Sequence, residues 1–137
     1  MPLTRFGVSL PSELSRRFDD LIRSRNYPNR SEAIRDLIRR ELVQEEITGN
    51  REVLGILSII YNHHQRTFSK ELTAIQHQHH HLVLTALHIH LDHHNCLEVI
   101  LIRGIGNDVK NLANQIISLK GVLHGSLNLT STGKNLE

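Results

Sequence analysis

The sequence of 137 residues has no tryptophan, a single cysteine and only 4% aromatic residues. One cysteine cannot form an internal disulfide, which favours a reducing compartment. Because aromatic side chains are scarce, the core must consist of Leu, Ile and Val. No window approaches the ~18 apolar residues of a membrane span, and the first residues lack the apolar region of a signal peptide. We therefore expect a soluble, cytoplasmic protein without a membrane partner.

The composition, with 39% hydrophobic and 22% charged residues, is that of a globular protein. The length allows one ordinary domain or two very small ones. The formal net charge is only +2, but nine arginines precede residue 41. A basic N-terminal block on a nearly neutral remainder suggests an acidic partner, with nucleic acid as the first candidate.

Residues 4–10 alternate between apolar and polar side chains, which predicts a short strand. Its two faces carry Phe6, Val8 and Leu10 on one side and Arg5, Gly7 and Ser9 on the other. A lone strand cannot satisfy its own backbone hydrogen bonds, whereas two copies can pair into an antiparallel ribbon, so the segment predicts an obligate dimer. Such a ribbon fits the DNA major groove. Arg5, Gly7 and Ser9 would then face the bases; the alternative is that they face solvent.

Two helices are predicted after this strand. Pro11 and Ser12 open the first, residues 26–29 break it, and Asn29 caps the second, with Glu32 at the capping-box position. The free N–H groups at the start of the second helix, around Arg30 and Ser31, can hold a phosphate of double-stranded DNA. Together with the basic block, this strand-helix-helix order favours DNA binding.

The second half of the chain predicts the order βαββαβ, the split βαβ or ferredoxin-like arrangement. The predicted strands are 53–61, 82–91, 96–103 and 122–129, and the predicted helices are 67–80 and 108–120. Residues 44–51 are polar and are interpreted as a linker. The fold class is therefore α+β.

Histidines and the cysteine concentrate between residues 77 and 96. His88 and His90 lie two apart on a predicted strand and share a face, and the chain then turns and returns through Cys96. The alternate side chains, expected to point into the core, are Leu87, Ile89 and Leu91. Two imidazoles and one thiolate suit Zn(II), Ni(II) or Cu(II). Zinc prefers a tetrahedron, and the sequence alone does not decide among the three metals.

A closed site needs a fourth ligand, for which His77 is a candidate, as are His79, His80 and His81. His77 and His81 also have the i, i+4 spacing that could hold a metal on a helix. Glu98 shares a strand face with Cys96 and is either an acceptor for a ligand's ring N–H or a surface salt-bridge partner. Ordinary surface histidines are the default interpretation for His63, His64, His79, His93, His94 and His124.

The chain resembles the nickel-responsive transcription regulator family, NikR, over nearly its whole length. The resemblance is carried by Asn29 to Asp36, Gln76-His77, His79 to His81, Leu87 to His90, His93 to Glu98, and Gly121 to Gly125. It implies a ribbon-helix-helix DNA-binding domain followed by an ACT-like nickel-binding and tetramerisation domain. With the polar segments taken as a linker and a flexible tail, the expected bounds are 1–46 for the first domain, 47–52 for the linker, 53–130 for the second domain and 131–137 for the tail.

The resemblance also implies a homotetramer, a dimer of dimers, with one Ni(II) per subunit in a square-planar site. The ligands would be His88, His90 and Cys96 of one subunit and His77 of a neighbour. A second cation site between the domains, for K(+), would use Glu32 and Asp36, which are otherwise a capping-box residue and a helix-face charge. Arg66 matches a position that contacts the DNA backbone; a solvated arginine is the alternative.

The sequence departs from the family at two positions. Gly7 stands in the middle of the base-reading face, where a hydrogen-bonding side chain is usual, and this affects the operator sequence. Gln78 interrupts the histidine run but leaves His77 in register.

We interpret the chain as a nickel-dependent repressor that binds palindromic half-sites spaced by whole DNA turns of about 34–36 Å or multiples. The alternative is a histidine-rich nickel or zinc storage or delivery protein. An enzyme is rejected because four protein ligands leave no open coordination position.

Overall fold

The computed structural model describes residues 2–137. Contacts between residues divide the chain into two compact units, with the boundary between Glu41 and Leu42. Each unit is described by itself. Among the described residues, no helix is both long and apolar enough to cross a membrane.

The N-terminal unit contains two helices, α1 at Ser12–Ser24 and the first part of α2, which spans Arg30–Thr48. The Glu32 N–H donates to Asn29 Oδ1 over 2.9 Å, which confirms the predicted cap. The reciprocal half of the capping box is absent from the contacts of Glu32, because its carboxylate pairs with Arg35 instead. Ile22 of α1 and Ala33 of α2 are buried and form the centre of this small unit.

Residues 2–10 precede α1 and form neither helix nor strand in the single chain. The apolar face predicted for this segment is uncovered: Phe6 is 69% exposed and Val8 is 59% exposed. A strand exists only where a second backbone supplies hydrogen bonds, and one chain offers none here. The predicted ribbon therefore stays a prediction about two copies.

Helix α2 runs further than the sequence predicted. Residues 44–48, interpreted as linker because they are polar, are helical, since Gln, Glu and Ile all tolerate a helix well. The helix ends where the Gly49 N–H donates to the Glu45 carbonyl over 2.8 Å. Asn50 then takes a left-handed backbone, with φ of 54°. In the C-terminal unit, Ile47 packs on the core, which explains why this last turn is ordered.

The C-terminal unit is a four-stranded antiparallel sheet with the order β2-β3-β1-β4. Its elements are β1 at Glu52–Asn62, α3 at Arg66–Gln78, β2 at Val83–His90, β3 at Asn95–Ile105, α4 at Gly106–Ile117 and β4 at Val122–Thr130. The order βαββαβ was predicted, and the α+β fold class is confirmed. Phe68 and Leu72 of α3 and Leu112 and Ile116 of α4 pack on one face of the sheet.

Among residues 2–137, no helix lies on the opposite face of the sheet. Its side chains include Ile56 of β1, 36% exposed, with Leu87 and Ile89 of β2, 57% and 40% exposed. The prediction that Leu87, Ile89 and Leu91 point into the core was therefore wrong. Alternation placed Leu87 and Ile89 opposite the histidines correctly, but it did not show that the helices pack on the histidine face of the sheet. This uncovered apolar surface is called the open face below.

Candidate metal centre

The structure places His88, His90 and Cys96 at one end of the sheet, but the ligand atoms that it gathers within 4.8 Å of one another are those of His90, Cys96 and His63. Strands β2 and β3 pair antiparallel, so that His90 lies opposite Cys96 and His88 lies opposite Glu98. Nδ1 of His90 is 3.3 Å from Sγ of Cys96, and the centroids of the two histidine rings are 4.8 Å apart. Of the predicted ligands, His90 and Cys96 are therefore in contact on this pair of strands, and the His88 ring lies beside that of His90.

The turn between the two strands is held by Asp92. Its Oδ1 accepts the backbone N–H of His94 and that of Asn95, both over 2.8 Å. These two hydrogen bonds are the main reason that the pKa of Asp92 lies below its usual range. An ionised Asp92 therefore stabilises the turn that leads from His90 to Cys96.

Two buried side chains, Tyr61 and Glu98, orient His88 through its Nδ1 atom. Its Nδ1 lies 3.0 Å from Oε2 of Glu98 and 2.9 Å from the hydroxyl of Tyr61, and the Tyr61 hydroxyl also donates to Glu98 over 3.4 Å. A carboxylate accepts only, so Nδ1 of His88 is the donor to Glu98, and Nε2 is the ring nitrogen that can face a metal. Glu98 is 8% exposed, and the predicted alternative of a surface salt bridge does not describe it.

Cys96 is fully buried among the core side chains. Burial raises the pKa of its thiol, and the nearby Asp92 and Glu98 carboxylates raise it further. The metal-free thiol is therefore protonated at neutral pH. A metal that binds here must displace that proton, as thiolate ligation requires.

His63 belongs to this cluster, although it was expected to be an ordinary surface histidine. Ligand atoms of His63, His90 and Cys96 all lie within 4.8 Å of one another, and the His63 and His90 ring centroids are 5.5 Å apart. Desolvation is the main cause that lowers the pKa of His63, which keeps its ring neutral. The signal that could have found it is register: β1 ends just before His63, and its Tyr61 pairs with Cys96.

His77 lies outside that group of ligand atoms. It is an exposed residue of α3 that lines a cavity of about 480 Å³, together with His80, His88 and Glu98. Helix α3 ends at Gln78, so His81 is not on the helix and the predicted i, i+4 pair with His77 does not form. Other histidines at this helix end bond to backbone carbonyls: Nδ1 of His80 lies 3.2 Å from the His77 oxygen.

The residues predicted to contact DNA lie in three places. Arg5, Gly7 and Ser9 are exposed in the segment before α1, and nothing lies within 4 Å of a Cβ built on Gly7. Arg30 begins α2, beside the exposed Ser31, and its guanidinium binds both oxygens of Asp19 at 2.9 and 2.8 Å. Arg66 is exposed at the first residue of α3 in the other unit.

The two carboxylates predicted to bind a second cation already have partners within the chain. Glu32 pairs with Arg35, and Asp36 pairs with Arg40 over 3.0 Å and accepts the hydroxyl of Tyr27. A cation at this position would compete with both arginines.

Comparison with known proteins covers nearly the whole chain. Residues 54–130 match the family model described as "NikR C terminal nickel binding domain", and residues 4–45 match "Ribbon-helix-helix protein, copG family". A relative in Nitratidesulfovibrio vulgaris (strain DSM 19637 / Miyazaki F) with the description "Putative nickel-responsive regulator" is 55% identical over 133 residues, 96% of each chain. Relatives with the same description in Trichlorobacter lovleyi and Thermococcus onnurineus are 51% and 48% identical and cover 94% and 99% of each chain.

A solved structure of an uncharacterized protein from Thermotoga maritima matches with a TM-score of 0.51 at 10% identity. The match covers 58% of this chain and 98% of that chain. At that identity it supports the fold alone.

Proposed function

This chain belongs to the family of nickel-responsive regulators, and from that premise we propose that it is a cytoplasmic DNA-binding repressor whose operator affinity rises with Ni(II). Its family consists of transcription regulators rather than enzymes. The observation that carries the proposal is the donor set at the end of β2 and β3. Imidazole nitrogens with one thiolate suit a borderline divalent metal such as nickel, and the donors present in the chain therefore fit the ion.

The proposed ligands are His88, His90 and Cys96 of one subunit and His77 of a neighbouring subunit, with one Ni(II) per subunit. Within one chain, neither His77 nor His88 is among the ligand atoms that gather at Cys96. His88 lies on the same strand as His90, so a turn of its ring would bring it to the metal, and His77 would come from the second copy. When bound, Ni(II) supplies the coordination bonds that link two subunits.

The assembly we propose is a homotetramer, a dimer of dimers, because each unit has an apolar surface that lacks a partner. The N-terminal segment exposes Phe6 and Val8 and needs a second backbone, which gives the dimer. The open face, with Leu87 and Ile89, needs a second sheet, which gives the tetramer. Contiguous apolar surface of this kind usually marks an interface.

The DNA contacts follow from the paired N-terminal segments. Arg5, Gly7 and Ser9 would face the bases of the major groove, with Arg5 able to bind guanine in bidentate fashion. Phosphates would be held at the start of α2 by Arg30 and Ser31, and by Arg66 elsewhere. Two ribbons in one tetramer predict a palindromic operator with two half-sites.

Nickel strengthens operator binding only as far as it binds the DNA-competent arrangement better than the others. The coupling runs through Cys96 and His90, which sit on a rigid sheet, and through the neighbour's α3. For the same reason, operator DNA must raise the affinity for nickel by an equal factor.

Potassium is a further proposed cofactor, with Glu32 and Asp36 as its side-chain ligands. Since both carboxylates pair with arginines in the chain, K(+) must displace them to bind. Measurement of the operator affinity in K(+) and in Na(+) at equal ionic strength tests this role of K(+). If K(+) binds as proposed, the protein binds its operator more tightly in K(+).

Fluorescence anisotropy with the protein's own upstream DNA and with nickel-uptake promoters tests the proposed function. We expect Ni(II) to confer sequence-specific binding. An Arg5→Ala variant should lose roughly 1–3 kcal/mol and relax specificity at one base pair. The matched control is Arg103→Ala, which removes an exposed arginine of the C-terminal unit that binds Glu52. Specific binding that does not depend on metal, or equal losses in both variants, would refute the proposal.

A further inference from the structure

We propose that Gly7 leaves the centre of each operator half-site without direct base readout, so that Arg5 and Ser9 read the sequence only at the two ends. The inference rests on the proposed function, because it concerns the ribbon that two copies of residues 4–10 would form. It gives the single glycine of this segment a role in the specificity of the regulator.

The fold of the chain does not require a glycine at this position. Gly7 is exposed, and nothing lies within 4 Å of a Cβ built on it. Among the described residues, the glycines with positive φ are Gly121 and Gly133, so Gly7 has a backbone conformation that other residues can adopt. Gly55 is a contrasting case, because its Cβ would lie 2.5 Å from Cγ1 of Val109. Neither space nor backbone conformation therefore accounts for Gly7.

The missing side chain belongs to the face that the ribbon would present to DNA. Phe6 and Val8, which flank Gly7, line cavities that Ile34 of α2 also lines, so the apolar face of the segment is turned toward the helices. Alternation places Gly7 on the other face. A glycine in a strand interior weakens the strand, and no contact within the chain offsets that loss. The consequence of Gly7 therefore lies in what the ribbon contacts.

Pairing of two copies places the two glycines together at the centre of the ribbon. Position 7 is the middle of residues 4–10, so antiparallel pairing with full overlap sets Gly7 opposite the partner's Gly7. Arg5 then lies opposite the partner's Ser9. Positions 5 and 9 of one strand share a face and are separated by about 13 Å at ~3.3 Å per residue. That span covers at most about four base pairs of ~3.4 Å each.

The three outward positions differ in what they can recognise. Arg5 can bind O6 and N7 of guanine with two hydrogen bonds, and the Ser9 hydroxyl can donate or accept one. Glycine has no side chain, and the backbone N–H and C=O groups of a ribbon lie in its plane rather than toward the base edges. The base pairs beneath the paired glycines therefore meet no group that distinguishes among them.

The test begins with selection from randomised duplex DNA by the full-length protein with one Ni(II) per subunit. Anisotropy titrations then compare the selected duplex with others that differ at the central base pairs or beneath Arg5. We expect the unmodified protein to bind all central variants within about twofold of one another, whereas a changed base pair beneath Arg5 weakens binding at least about fivefold.

Gly7→Asn supplies the missing readout. Asparagine can bind N6 and N7 of adenine, so this variant should gain a preference of at least about fivefold for adenine at the centre and keep the preference beneath Arg5. The matched control is Gly133→Asn in the C-terminal unit, where nothing lies within 4 Å of an added Cβ either. It should bind every duplex as the unmodified protein does, and circular dichroism checks that both variants fold.

Two results would overturn the proposal while leaving the regulator intact. One is a preference of at least about fivefold by the unmodified protein for one central base pair, which is the size of a direct contact. The other is loss of operator binding in a folded Gly7→Ala variant, because it would show that glycine is needed for space against the DNA. If selection with Ni(II) yields no common sequence, the proposed function fails, and this role of Gly7 fails with it.

Discussion

Glu98→Gln is expected to weaken Ni(II) binding although Glu98 is not a proposed ligand. The carboxylate accepts a hydrogen bond from Nδ1 of His88 over 3.0 Å in a nearly water-free position. It fixes the tautomer and raises the basicity of the nitrogen that would face the metal. Glutamine keeps the shape and one acceptor oxygen but removes the charge, so the substitution isolates the electrostatic part.

The magnitude follows from two estimates that agree. A hydrogen bond to a charged group contributes about 1.5–3 kcal/mol and a neutral one about 0.5–1.5 kcal/mol, so the loss is about 1–1.5 kcal/mol. Outer-shell substitutions typically cost 10–100-fold in metal affinity. Since about 1.4 kcal/mol is a factor of ten, we expect Glu98→Gln to reduce Ni(II) affinity about tenfold.

Competition of each variant with a chelator at pH 7 measures this effect. Glu52→Gln is the matched control, because Glu52 lies on the same sheet and its carboxylate, 44% exposed, binds Arg103. Thermal unfolding confirms that both variants fold. An affinity for Glu98→Gln within twofold of the control would refute the argument that Glu98 tunes His88.

Three further outcomes are expected. Cys96→Ala should abolish nickel-dependent operator binding in anisotropy titrations while sedimentation still shows a tetramer; a normal nickel response would remove Cys96 from the ligand set. Leu87→Glu should leave circular dichroism unchanged and convert the tetramer to dimers in sedimentation velocity, and an intact tetramer would show that the open face is not the interface. The Arg30 guanidinium holds the pKa of Asp19 below its ordinary value of 3.8, so this pair stabilises the fold above that value and the benefit is lost as pH falls through the depressed pKa. The melting temperature of Asp19→Asn should therefore lie below that of the unmodified protein at pH 7 and converge with it in acid; a constant difference across pH would contradict the assignment.

Much of the C-terminal unit was predictable because its strands alternate and its helices are periodic. The pairing of β2 with β3 follows from the short turn between them, and it brings His90 opposite Cys96. The exposure of Leu87 and Ile89 in the single chain was not predictable, because an apolar face looks alike in sequence whether a helix covers it or nothing in the same chain does. The polar composition of residues 44–48 also predicted an earlier end for α2 than the structure has. The last turn of this helix is stabilised by Ile47, which packs on the core.

His63 shows where sequence reasoning about the site ends. Nearly thirty residues separate His63 from His90, so only the register of β1 against β3 brings them together. The sequence alone could point to His88, His90 and Cys96 as candidate ligands, because they are close in sequence and lie on strands that were predicted to pair. The spacing of the residues did not show that His77 is separate from them, because α3 and β2 are neighbours in the chain; only the family resemblance implied it.

Operator affinity followed during a stepwise addition of Ni(II) tests the central claim most directly. The account predicts weak, sequence-independent binding without metal, and an operator affinity that rises and reaches its plateau at one Ni(II) per subunit. Retention of several Ni(II) ions per subunit with no change in operator affinity would contradict it and would indicate a storage or delivery protein.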